Sequence, residues 1–202
     1  WISQISHSIV RINNILTDLS QDMWIYISND IFSLKMIKDE VGSSTMPHKV
    51  NPIDFENAEG NLGLSNALFN FFANKLSKSR LQRDLSDSTV LRNIGLAFGY
   101  ASLAIFSTQK GLSKIIPNKK IITEELDNNW EVLTEAIQTI MRLEGISDAY
   151  EQIKKLSRGA SINKDNYINF VTKLNISKTS KQKLLNLTPH SYVGLSSYLS
   201  KN

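Results

Sequence analysis

Cysteine is absent from this chain of 202 residues. Its absence rules out a disulfide framework and a thiolate metal site, and it fits a reducing compartment. Proline and glycine are scarce, at 4 and 9 residues, and the long intervals between them exclude a pattern of many short strands and favour helices. No apolar run approaches the roughly 20 residues that a membrane span needs, so no membrane partner is expected. Internal repeats and low-complexity segments are also missing.

What is present is a chain 41% hydrophobic and 21% charged, the composition of one or two globular domains with a substantial core. The net charge of +4 is carried by dispersed lysines and arginines. This favours a small phosphorylated or multiply carboxylated ligand over nucleic acid. The chain opens on Trp1 with no signal peptide pattern before it, and it is expected to be a fragment lacking its natural N-terminal part.

Apolar residues at Ile2, Ile5, Ile9, Ile12, Leu16, Leu19, Met23 and Ile27 recur every three or four positions, the seam of a long bundle helix. His7 lies within it and reads as a structural or interface residue. A second helix is expected to present Phe55, Ala58, Leu62, Ser65, Phe69, Phe72 and Leu76 on one face. Gly60 and Gly63 suggest close approach of a neighbour there. A third runs from about Val90 to Leu112. Ser113 to Lys120 breaks the pattern, and beyond it short helical segments are expected at 123–128, 130–143, 148–156, 164–174 and 179–187. The chain therefore reads as all-α, with a long-helix bundle over 1–112 and a small all-helical domain over 113–202.

Between the first two helices lies Gly42-Ser43-Ser44-Thr45-Met46-Pro47-His48-Lys49-Val50-Asn51. Taken singly, these residues make an ordinary interhelical connection, with hydroxyls that satisfy local backbone groups and a proline that sets the next turn. Together they offer a hydroxyl, an ammonium and amide donors, the inventory for making and holding an anion. A second polar string, Ser77 to Asn93, carries Lys78, Arg80, Arg83 and Arg92. In it Asp87 or Ser88 is the expected N-cap of the helix near Val90. It reads either as a capped, solvated turn or as an oxyanion site built from helix-terminal N–H groups, Ser88 or Thr89 and guanidinium forks.

The first string resembles the signature loop of the fumarase/aspartase superfamily, matching it at Gly42, Ser43, Ser44, Met46, Pro47, Lys49, Asn51 and Glu56. The residues filling its variable positions look most like those of adenylosuccinate lyases, and the second string is similar to the turn that holds the substrate phosphate in that family, at Arg83, Ser88 and Arg92. The resemblance implies the fumarase/aspartase-type helical bundle, a homotetramer with sites shared among three subunits, a cytoplasmic location, and no metal or cofactor. It implies a lyase that releases fumarate from a phosphorylated purine substrate by β-elimination. Ser43 would be the base, assisted by Lys49. Ser44, Met46, Asn51 and Asn57 would contact the substrate, and Arg83, Ser88, Thr89 and Arg92 its phosphate. The general acid is a histidine upstream of this chain, so the chain alone is expected to be inactive, and His48 is not assigned that role. Alternatives are an argininosuccinate-type lyase of the same superfamily and a non-catalytic helical interaction module.

Overall fold

The computed structural model describes residues 1–35, 51–157 and 162–201. These form two compact units, Trp1–Asn118 and Lys119–Asn202.

The first unit is built on three long helices. Helix α1 (Ile2–Ser28) contains neither glycine nor proline and runs for 27 residues. It stops where Asp30 takes a left-handed φ of 59°. The Asp30 N–H then donates to the Ile27 carbonyl and that of Ile31 to Tyr26, a Schellman closure that satisfies the orphan carbonyls of the last turn. Helix α2 (Ile53–Lys75) starts behind Pro52, whose carbonyl accepts from Phe55 and Glu56. It buries Phe55, Ala58, Leu62, Ser65, Phe69, Phe72 and Ala73, the face its spacing predicts except that Leu76 is only half-buried. A short α3 (Leu85–Leu91) precedes α4 (Ile94–Lys114), which buries Ala97, Ala101, Ala104, Thr108 and Gly111 on one stripe. Gly111 admits the Phe55 ring, which would lie 2.8–3.0 Å from an added Cβ. Gly60 and Gly63, by contrast, meet nothing within 4 Å among the described residues, so the close approach expected there is not made by them.

The packing of α1 departs from the sequence expectation. Its buried residues are Ser6, Asn13 and Ser20, spaced by seven, whereas Ile5 and Ile12 of the predicted seam are exposed. The Asn13 amide donates to Ser65 Oγ at 3.0 Å and Asn66 Oδ1 at 2.9 Å, and Ser65 Oγ donates to the Ala97 carbonyl at 3.0 Å. A chain of polar contacts thus sets the register of α1, α2 and α4, and each buried polar atom in it has a partner.

Two small strands add to the helical fold. Strand β1 (Phe32–Leu34) pairs antiparallel with β2 (Ile115–Pro117), Ser33 lying opposite Ile116. The apolar run at Ile31–Leu34 is therefore extended rather than helical, and the first unit ends at Asn118 because β2 is tied to β1. One correction concerns hydropathy. Among the described residues the helical stretch Leu85–Lys114 is long and apolar enough, at mean hydropathy 1.3, to cross a membrane by length and composition. Its leucines, isoleucines and phenylalanines raise the average, and the small and polar residues between them keep it from forming a conspicuous apolar run.

In the second unit the described residues form short helices: α5 (Lys119–Asn128), a 3₁₀ turn (Trp130–Leu133), α6 (Thr134–Leu143), α7 (Ala149–Ser157), α8 (Lys164–Lys173), α9 (Lys178–Leu185) and α10 (Ser196–Leu199). They enclose Leu133, Ile137, Met141, Ile162, Tyr167, Val171 and Leu184 in one apolar cluster. Gly145, at φ 82°, ends α6 with the same closure that Asp30 gives α1. Beside it, Glu144 accepts from Ser177 N–H and Oγ and from Ser180 Oγ, fixing the start of α9. His190 bonds Asp127 at 2.8 Å, tying the turn after Pro189 to the end of α5.

Candidate functional site

Two groups of candidate residues lie at the two ends of α2. At its N-terminal end, Ser43, Ser44, Met46, His48 and Lys49 fall outside the described residues. Asn51 is half-buried and leads into the helix. Asp54 sits in the first turn, where it complements the helix dipole. It also forms ion pairs with Lys114 at 2.5 Å and Lys110 at 3.5 Å. Lys114 is nearly buried, so this pair locks the N-terminus of α2 to the C-terminus of α4. Glu56 accepts from the Trp24 indole at 3.0 Å and Glu59 from Gln21 at 2.8 Å. These four side chains and Ile25 line an open cleft of about 350 Å³. Asn57 is exposed on the next position, and its Oδ1 accepts from Asn61 at 2.6 Å.

At the far end of α2, Lys75 bonds Asp87 of α3 at 2.5 Å and brings the second polar string against the helix terminus. The N-cap there is Asp84, not Asp87 or Ser88. Asp84 is extended, at φ −112° and ψ 119°, and its carboxylate accepts from Ser86 N–H at 3.0 Å and Ser86 Oγ at 2.8 Å. The helix thus begins earlier than expected, at Leu85, and is interrupted at Arg92 and Asn93 before α4 resumes. Ser88 and Thr89 stand inside α3 rather than at its start. Ser88 and Arg92 are one turn apart on the same face, with Thr89 beside them. Arg83 and Arg92 are both exposed, and among the described residues neither guanidinium has an ion-pair partner. Arg80, in contrast, is committed to Asp84, through Nε at 3.0 Å and Nη2 at 3.2 Å. These donors, with Ser86, hold the Asp84 carboxyl far below the usual carboxylate range.

The result is a rigid turn that offers two free guanidinium forks and two hydroxyls to an anion. At 1.5 Å per residue, the 18 positions of α2 from Asn57 to Lys75, which bonds the turn, rise about 27 Å. Among the described residues, Asn57 and the Arg83–Arg92 turn are therefore not brought together.

The sequence profile described as adenylosuccinate lyase C-terminal matches residues 79–193. The chain belongs to the adenylosuccinate lyase family. A second profile, described as lyase, matches residues 2–65. Among adenylosuccinate lyases, that of Legionella pneumophila strain Corby is 58% identical over 200 residues, covering 99% of this chain and 44% of the relative. The adenylosuccinate lyase of Buchnera aphidicola from Schizaphis graminum is 52% identical over 199 residues, 98% of this chain and 44% of the relative. That of Escherichia coli K12 is 50% identical over 194 residues, 96% of this chain and 42% of the relative. The chain thus spans less than half the length of these adenylosuccinate lyases. In fold it is similar to a class II fumarase from Schistosoma mansoni, with TM-score 0.63 and 20% identity over 83% of this chain and 35% of that one. This agrees with the all-α fumarase/aspartase architecture expected from the signature loop.

Sequence reading missed Asp84, Arg80 and the Lys75–Asp87 link as the builders of the turn. The signal was available in Asp84-Leu85-Ser86-Asp87, an acidic cap followed by a first-turn carboxylate.

Proposed function

We propose that this chain is part of a lyase that eliminates fumarate from adenylosuccinate, leaving AMP, and from the succinylated aminoimidazole carboxamide ribotide in purine nucleotide biosynthesis. The observation that carries this reading is the Arg83–Arg92 turn. Its two arginines lack internal partners and flank the hydroxyls of Ser88 and Thr89, a donor set suited to a phosphate monoester. An argininosuccinate-type lyase would have no phosphate to place there.

The difficult step is removal of a proton from the carbon beside a carboxylate, because the product carries a second negative charge. Ser43, as the alkoxide, takes that proton. Lys49 stabilises the alkoxide, and Ser44, Asn51 and loop N–H groups hold the developing anion, electrostatic help worth about 3 kcal/mol per well-placed donor. The C–N bond then breaks, and an acid upstream of this chain protonates the leaving nitrogen. Met46 and Asn57 are assigned to substrate contact.

The separation of Asn57 from the Arg83–Arg92 turn along α2 supports a site made by several subunits, since two groups that far apart on one copy do not hold the same small molecule. A cytoplasmic homotetramer with sites shared among three chains is the corresponding assembly, and the isolated chain is expected to be inactive. The test is to restore the upstream segment and follow fumarate release from adenylosuccinate. Turnover is expected in the complete protein. Ser43→Ala should reduce kcat by about 10³-fold or more, as loss of a catalytic base with its local stabilisation does. Absence of turnover in the complete protein, or a Ser43→Ala rate near wild type, would overturn the assignment. The helical-module alternative predicts both of those results.

A further inference from the structure

The turn that carries Arg83 and Arg92 contains a carboxylate, Asp84, that would repel a bound phosphate unless it were neutralised. Its oxygens are fully committed. Oδ1 accepts from Ser86 N–H, Ser86 Oγ and Arg80 Nη2, and Oδ2 accepts from Arg80 Nε. Asp84 is 9% exposed and both its oxygens are engaged in these bonds, so it is suited to neither proton transfer nor substrate contact. What it does control is direction. An extended residue sends its side chain to the side opposite its neighbour's, so with Asp84 held inward Arg83 points out to solvent. The Arg80–Asp84 bridge also closes a five-residue turn in which Leu81 sits at φ 54° and is 99% exposed. A bulky side chain in the left-handed region persists only where its surroundings hold it there. No packing of Leu81 does so, which leaves the bridge.

We propose that Asp84 is the positioning residue of this anion site: paired with Arg80 and capping α3, it fixes the geometry in which Arg83, Ser88 and Arg92 meet a phosphate. The proposal rests on the phosphate reading given above. Asparagine caps a helix as well as aspartate, so Asp84→Asn keeps the bond to Ser86 and removes only the ion pair. Arg80→Gln breaks the same bridge from its exposed end. Both are made in the complete protein together with Arg92→Gln, and each is assayed for KM and kcat with adenylosuccinate and for thermal stability. Both bridge variants are expected to raise KM about tenfold, the loss of one well-placed charge-assisted contact. Their kcat should remain within about threefold of wild type, because contacts to a phosphate remote from the reacting bond are held alike in the bound substrate and in the transition state.

A purely structural role would lower thermal stability and leave KM unchanged. A purely electrostatic one would lower KM in Asp84→Asn, which frees a cation, while raising it in Arg80→Gln. Either pattern overturns the proposal. If Arg92→Gln leaves KM unchanged, the phosphate reading fails and the proposal with it. If Arg92→Gln raises KM while the folded bridge variants do not, the positioning role alone fails. Should Asp84→Asn fail to fold, Arg80→Gln decides, since its side chain is 84% exposed.

Discussion

The two units differ in what their packing leaves outside. The Lys119–Asn202 unit encloses large apolar residues, among them Leu133, Ile137, Met141 and Leu184 at 0% exposure, in one cluster. The Trp1–Asn118 unit buries Phe55, Leu62, Phe69 and Phe72 of α2 against alanine, glycine, serine and asparagine positions, and leaves Ile15, Leu64, Phe71, Leu103 and Phe106 between 53% and 69% exposed. A run of large exposed apolar residues along three helices is what an interface surface looks like before its partner is present. The second unit gathers its large buried residues in one cluster. The first carries its exposed apolar residues along its long helices, and it is also the unit in which Asn57 and the Arg83–Arg92 turn are held apart by the length of α2.

The largest effect should come from emptying the closed core. Ile137→Ala is expected to destabilise the second unit by about 3 kcal/mol, the transfer and cavity cost of a buried branched side chain. Phe106→Ala should change the stability of the unassociated chain by less than about 0.5 kcal/mol. Amide hydrogen exchange in urea reads the two units separately. Equal costs at the two positions would break the contrast.

Next in size is the polar register of the bundle. Asn13→Ala leaves Asn66 and Ser65 short of a partner within the α1–α2 contact, at a cost of about 1–3 kcal/mol. Tyr167→Phe in the closed unit removes the 2.9 Å bond to the Leu184 carbonyl, at a cost of about 1 kcal/mol. Chemical denaturation of each variant measures the difference.

Within the Lys119–Asn202 unit, two groups respond to pH in opposite directions. Burial pushes the Tyr167 phenol up to about 12. With its folded value above the unfolded value of about 10, its contribution is complete below pH 10 and is lost as pH rises toward 12. Tyr167→Phe should flatten that alkaline loss. Glu144 shows the opposite sign. Its carboxyl is lowered by Ser180 and then Ser177, so its contribution holds above the ordinary carboxylate value of about 4.3 and is lost as pH falls through the depressed one. Glu144→Gln should flatten the acid limb of the second unit, and unfolding followed by exchange at pH 2–5 checks it. The smallest effect is expected at Leu81. In Leu81→Gly, relief of the left-handed strain is offset by greater freedom of the unfolded chain, and stability should move by less than about 0.5 kcal/mol.

The α2 face shows what could be read from the sequence. Phe55, Ala58, Leu62, Ser65, Phe69 and Phe72 are all buried as their spacing predicts, because on that helix the apolar stripe faces neighbours within the chain. On α1 the same reasoning found the helix and placed Ile9 and Leu16 on the packed face, but it missed the polar residues at the centre of that face and included two residues that face out. Periodicity locates an apolar stripe but not the molecule that covers it, and here Ser6, Asn13 and Ser20 face inward while Ile5 and Ile12 face out. At the candidate site the residues Arg83, Ser88, Thr89 and Arg92 were recognisable by type and resemblance. The cap at Asp84, the break at Arg92–Asn93 and the separation along α2 depend on backbone geometry that spacing does not carry.

The most direct measurement is the solution mass of the complete protein by sedimentation equilibrium, with wild type compared with a Leu103→Glu/Phe106→Glu variant. The proposed account predicts a four-chain mass for wild type. It predicts a smaller species without adenylosuccinate turnover for the variant, with hydrogen exchange in the Lys119–Asn202 unit unchanged. A fully active wild-type monomer, or an undiminished assembly after two charges are placed on that face, would contradict it.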